Sequence, residues 1–124
     1  MTDQEQVQVS DLEKTLLDCA ARPQLCGGIA ELAKGLWLRR QALDEERLVS
    51  HARRLQHRAA AMRLGFLLET YGLGQPETIA DLQSLVATSY ARLDPTLPDE
   101  GRYRARWRLR INLDPDELVA TVWT

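Results

Sequence analysis

No stretch of this chain approaches the ~20 consecutive apolar residues that a membrane-spanning helix requires, so no membrane association is expected. The N-terminus, MTDQEQVQVS, is polar and acidic. It has neither the basic start nor the apolar core of a secretory signal, which points to a cytoplasmic protein. Cysteine is scarce: Cys19 and Cys26 are the only two. Two are too few for a disulfide scaffold, and a reducing compartment would keep them as thiols. With His51 and His57 they supply four conceivable zinc ligands, but the spacings match no tight metal knuckle. No metal and no cofactor are therefore expected. The serine-elbow, P-loop and zinc-protease signatures are all missing. A set such as Cys26, His51 and Asp44 could be drawn from almost any chain, so no catalytic residue is assigned and the chain is not expected to be an enzyme.

What is present is enough for one domain with a real core: 124 residues, 44% of them hydrophobic. The net charge of −2 hides an uneven distribution. Side chains sum to about −3 over residues 1–50, +3 over 51–75, −4 over 76–100 and +2 over 101–124. Lys14 and Lys34 are the only lysines. The cations are thus almost all arginine, which suits bidentate contacts with carboxylate or phosphate, although genomic base composition can produce the same bias.

Residues 1–6 are expected to be disordered, and 7–124 to form a single domain. Val7-Gln8-Val9 alternates like a short strand. Ser10 with Glu13 reads as a capping box for a first helix facing inward through Leu12, Leu16, Cys19 and Ala20. Arg22-Pro23 ends that helix, and Gly27-Gly28 makes a turn into the next. Ile29, Leu32, Ala33, Leu36 and Trp37 complete an amphipathic stripe, with Trp37 expected in the core. Asp44 caps a third helix whose first turn carries Glu45 and Glu46. Residues 58–71, RAAAMRLGFLLETY, are apolar around most of the circumference and predict a buried central helix, in which Gly65 would permit a close helix crossing. A fifth helix should run from Pro76 with Ile79, Leu82, Val86, Tyr90 and Leu93 inward, until Asp94-Pro95.

The alternation of Tyr103, Ala105, Trp107, Leu109, Ile111 and Leu113 with Arg102, Arg104, Arg106, Arg108, Arg110 and Asn112 predicts one half-buried strand over 103–113. Tyr103, Trp107 and Ile111 would anchor its back. Residues 117–123 fit a helix after the Asp114-Pro115 start or, as LVATVW, a strand. The expected class is α+β, mostly α: about five helices around the central helix 58–71, with a small sheet containing 103–113 and 7–9. Arg102, Arg104, Arg106, Arg108 and Arg110 then form a positive row that is the candidate binding site. It could meet an acidic protein surface, hold nucleic-acid phosphates, or be a solvated face that discourages aggregation.

The order and spacing of several segments resemble the C-terminal domain of AbiE-type antitoxins, transcriptional regulators of abortive-infection, type IV toxin–antitoxin systems. The matching segments are Val7 and Val9 before Glu13, Leu16-Leu17-Asp18, Arg22-Pro23, Gly27-Gly28 followed by Trp37, RLQHRAAAMRLGFLLETYGL, Leu93-Asp94-Pro95 and RWRLRINL. The resemblance spans nearly the whole chain. It implies neutralisation of a nucleotidyltransferase-like toxin and a contribution to transcriptional autoregulation. Family members commonly place a winged-helix DNA-binding domain ahead of this region; this chain leaves no room for one, so DNA as a partner rests on the arginine row. The remaining alternatives are a nucleic-acid-binding regulator using that row, or a stand-alone protein-interaction domain with another partner.

Overall fold

Nine consecutive residues, Ala60 to Leu68, are buried in one helix, which is what an apolar circumference requires of its surroundings. The computed structural model describes residues 12–123, with side chains to residue 120; the strand expected at Val7–Val9 and the Ser10 cap lie outside the described residues. Six helices appear: α1 (Leu12–Ala21), α2 (Ile29–Leu38), α3 (Glu45–Leu55), α4 (Arg58–Thr70), α5 (Pro76–Gln83) and α6 (Pro115–Trp123). A three-stranded sheet of β1 (Ala91–Arg92), β2 (Arg102–Arg104) and β3 (Leu109–Ile111) completes an α+β, mostly helical fold. Helix α4 is the central one. It packs against α1 and α5, α3 contacts α1 and α5, and α6 lies on α2. Residues 115–123 are thus helical, which settles the helix-or-strand alternative.

Local chemistry explains the helix ends. Asp44 Oδ1 accepts from the Arg47 amide at 3.2 Å and starts α3. Gln56 closes α3 in the left-handed region, φ 57°, and His57 Nδ1 accepts from the Ala60 amide at 3.3 Å to start α4. Glu13 is buried at 2% exposure. It reaches from α1 to accept the Asp44 amide at 2.9 Å and pairs with Arg47 at 3.5 Å.

Four expectations are corrected. The cysteines are not free thiols: Cys19 and Cys26 are joined by a disulfide. The 3₁₀ turn Pro23–Leu25 after α1 folds the chain back, bringing their Cα atoms to 5.8 Å, within the span of such a bridge. The fifth helix stops at Gln83 and does not reach Leu93. Ser84 Oγ turns back to the Asp81 carbonyl at 2.5 Å, a local bond that competes with helix continuation. Ile79 and Leu82 are buried, but Tyr90 is 40% exposed and Leu93 is buried at the end of β1. Trp37 is half-buried and not fully in the core; it packs on Tyr71 with ring centroids 5.5 Å apart and lies under the Arg40 guanidinium at 3.8 Å.

The fourth correction bears on function. Residues 103–113 are not one strand. β2 and β3 form a hairpin, with β3 in the middle of the sheet: antiparallel to β2, parallel to β1. The chain turns at 105–108, where Trp107 N donates to Arg104 O at 3.3 Å and Arg108 N to Ala105 O at 3.2 Å. Arg108 takes φ 52°, a left-handed conformation that costs a non-glycine residue about 1–2 kcal/mol. Burial of the whole Trp107 side chain offsets it. The ring lies against Gly65 of α4, where a Cβ would fall well inside contact distance of Trp107 Cη2 and Cζ3. Gly65 therefore makes room for an indole, not for a second helix. Tyr103, expected to anchor the back of the strand, is 60% exposed.

Two stability outcomes follow from this packing. Gly65→Ala adds a methyl group that the buried indole must move to admit. A net loss of about 1–3 kcal/mol is expected, despite alanine's better helix propensity. Leu67→Ala empties a fully buried position of α4 and should cost about 2–5 kcal/mol. Denaturant midpoints of the two variants against the parent chain test both; an unchanged midpoint for Gly65→Ala would mean that the indole does not occupy the glycine notch.

Candidate functional site

A buried polar junction sets the hairpin in place. Arg63, 5% exposed in the middle of α4, donates from Nη1 to the Ala20 carbonyl at 2.9 Å and from Nε to the Arg92 carbonyl at 3.0 Å. It thereby satisfies the C-terminal end of α1 and ties β1 to the core. Burial pushes its guanidinium down to about 10, with the neighbouring Asp94 charge opposing the shift, so Arg63 is charged at neutral pH. Asp94, 4% exposed, accepts the Ile29 amide at 3.0 Å and so caps α2. Gly28 precedes that amide at φ 95°, and a Cβ there would meet Asp94 Oδ2 at 3.0 Å. The other Asp94 oxygen accepts from the Thr96 amide and hydroxyl at 2.9 and 2.6 Å. Asn112 closes the junction from the hairpin side: its Oδ1 accepts the Asp94 amide at 3.0 Å and its Nδ2 donates to the Asp94 carbonyl at 2.8 Å.

The five arginines expected in one row are divided by the hairpin. Arg106, in the turn, makes a bidentate pair with Glu69 of α4, Nε to Oε1 at 2.9 Å and Nη2 to Oε2 at 2.5 Å. Trp107 Nε1 donates to the same carboxylate at 2.6 Å. These bonds, Arg106 foremost, hold the Glu69 carboxyl below the usual carboxylate range. Arg108 donates to the Thr88 carbonyl at 3.2 Å. Arg110 donates to the Gly101 carbonyl at 3.2 Å and to Tyr103 Oη at 3.2 Å, and pairs with Asp99 at 3.4 Å. Arg102 and Arg104 remain exposed on β2. Among the described residues neither makes a close ion pair; Arg104 lies over the Phe66 ring at 5.7 Å, and its charge also helps to hold the Glu69 carboxyl low.

Among the described residues β2 is an edge strand, so one side of its backbone is unpaired there and could take a further strand. A groove of about 1110 Å³ runs beside it, lined by residues 100–104 and 111–116. Its wall is of mixed charge: Arg102 and Arg104 on the β2 side, with Glu100, Asp114 and Asp116 also lining it, so a carboxylate-bearing surface is met only by the β2 guanidinium groups. A second cleft, about 910 Å³, lies between α3 and α5 and is acidic, with Asp44, Glu45, Glu46, Glu77 and Asp81 on its wall. Glu45 is already engaged there, accepting Thr78 Oγ1 at 2.6 Å and the Gln75 amide at 2.9 Å. Among the described residues, no three His, Cys, Asp or Glu side chains converge on a metal position.

Sequence reasoning missed Arg63, Glu69, Asp94 and Asn112. In the sequence Asp94 has the form of a helix stop and Asn112 that of one more outward residue of the alternation. The signal for Arg63 was available: a single cation inside an otherwise apolar helical run needs a buried set of acceptors.

Glu69 provides a pH test. Its folded value lies below the unfolded one, so between the two the unfolded chain binds the extra proton and stability falls as pH falls. The contribution is complete above the ordinary glutamate value near about 4.3 and is lost on acidification through the folded value. Between about pH 6 and about pH 3, the denaturant midpoint of the parent chain should drop further than that of Glu69→Gln. Equal slopes would show that the Arg106–Glu69 pair does not hold the hairpin to α4.

No protein-family model, curated protein or solved structure matches the chain.

Proposed function

We propose that the chain is an antitoxin-type interaction module: a binding protein, not an enzyme, that engages an acidic surface of a nucleotidyltransferase-like toxin. The observation that carries this reading is the pair of exposed guanidinium groups on β2, Arg102 and Arg104, which are in none of the close ion pairs that hold Arg106 and Arg110. They stand on a strand that is at the sheet edge among the described residues, beside a groove, where charge complementarity steers association and fixes register. Resemblance to the AbiE-type antitoxin domain supplies the class of partner. It is supported by the meeting of several resembling segments at one junction: Arg63 takes carbonyls just ahead of Arg22-Pro23, and Asp94 lies against Gly28 and is bound by Asn112. A contribution to transcriptional autoregulation belongs to the same reading. Duplex binding along a row of five arginines has less support, because Arg106 and Arg110 are ion-paired and the five do not line one face.

Arg102→Glu with Arg104→Glu tests the proposal. Both side chains are exposed, so the variant should fold; Arg102→Glu should change stability by no more than about 0.5 kcal/mol, and Arg104→Glu by somewhat more because it loses the Phe66 contact and sets a like charge near Glu69. In cells expressing a nucleotidyltransferase-like toxin of an AbiE-type system, the parent should restore growth and the double variant should not. Affinity for the purified toxin should fall at least about tenfold, since like charges facing one another cost several kcal/mol. Undiminished rescue and affinity would remove β2 from the interface.

A further inference from the structure

The face of the sheet turned away from α4 carries an exposed aromatic pair, Tyr90 and Tyr103, of which Tyr103 also borders the groove beside β2. Alternation along β2 and β3 puts Tyr103 opposite Arg110 on that face, while Leu109, opposite Arg104, is buried. Tyr90, just before β1, meets Tyr103 edge to face, with centroids 4.9 Å apart at 80°. The two rings keep 40% and 60% exposure, although the other rings near the sheet, Phe66 and Trp107, are buried. A guanidinium lies by each ring: Arg110 at 4.8 Å from Tyr103 and Arg108 at 5.5 Å from Tyr90. Both cations are tethered, Arg108 to the Thr88 carbonyl and Arg110 to the Gly101 carbonyl, so little side-chain freedom remains to be lost on binding. The one acid paired on this face, Asp99, is itself 65% exposed and sits 3.4 Å from Arg110, a contact that a phosphate can displace.

We propose that this face binds single-stranded nucleic acid, with Tyr103 and Tyr90 stacking bases and Arg108 and Arg110 taking the phosphates. The choice among polyanions follows from the rings. A duplex keeps its bases stacked inside and offers the protein mainly phosphates along its backbone. An acidic peptide satisfies guanidinium groups but has no π-face for the tyrosines. An unpaired strand supplies both, and stacking tolerates any base. Recognition is accordingly expected to be strand-selective and weakly dependent on sequence.

Fluorescence anisotropy with a labelled oligothymidylate and oligouridylate of about 12 nucleotides tests this, against a duplex of the same length and with polyglutamate as competitor. The single strands should bind at least about tenfold tighter than the duplex. Tyr103→Leu should weaken them about tenfold, and Tyr103→Phe, which keeps the ring and loses the hydroxyl, should stay within about twofold of the parent. Arg108→Gln should lower the dependence of log affinity on log salt by about 0.7. Tyr90→Leu provides a second, independent ring deletion, and thermal melts establish that each variant is folded. No binding at low salt, equal affinity for the duplex, insensitivity to both ring deletions, or displacement by polyglutamate at equal charge would each overturn the proposal. None of these outcomes depends on Arg102 and Arg104, so toxin binding and strand binding fail separately.

Discussion

Arg63 and Asp94 are buried charges placed where backbone dipoles need them. The guanidinium sits at the carbonyl end of α1, and the carboxylate at the amide end of α2. Each therefore meets the partial charge of opposite sign that a helix end presents, and each satisfies backbone groups that helix termini leave orphaned. An isolated buried ion would be strongly disfavoured; here several fixed acceptors and donors replace its water. The two side chains also interact electrostatically with one another. Because Arg63 holds β1 through the Arg92 carbonyl and Asp94 is held by Asn112 just after β3, the same junction that joins α1, α2 and α4 positions the sheet.

From that anchored sheet, the hairpin reaches over α4 and is fastened at its turn by one aromatic side chain and one carboxylate. Trp107 occupies the notch left by Gly65, and Glu69, one helical turn further along α4, receives both the indole N–H and the Arg106 guanidinium. This division of labour decides which arginines are spent on structure. Arg106 fastens the hairpin and Arg110 braces its outer face, while Arg102 and Arg104 are left on the open edge. Acidic side chains gather in the cleft between α3 and α5 and again beside the hairpin at Asp99, Glu100, Asp114 and Asp116, so a small net charge of −2 is spread unevenly over the surface. The resulting local fields influence encounter with charged partners more than they influence the fold.

What the sequence by itself determined is the helical framework. Helices α1 to α4 appear where the apolar periodicity and caps placed them, with α4 buried from Ala60 to Leu68. Asp44 is the cap, and Pro115 opens the last helix. These features depend on residues within a turn or two of each other, so their physics is written locally. Tertiary structure alone decided the hairpin and the division of the arginines. An eleven-residue alternation is equally compatible with one strand or with two short ones. The choice fell to Trp107, whose pocket lies on α4, and to Glu69, 37 residues away from Arg106. The Cys19–Cys26 bond likewise depended on a turn that brings back the chain after α1. In each case the deciding partner is distant in sequence or set by a turn's geometry, and a periodic pattern carries no information about either.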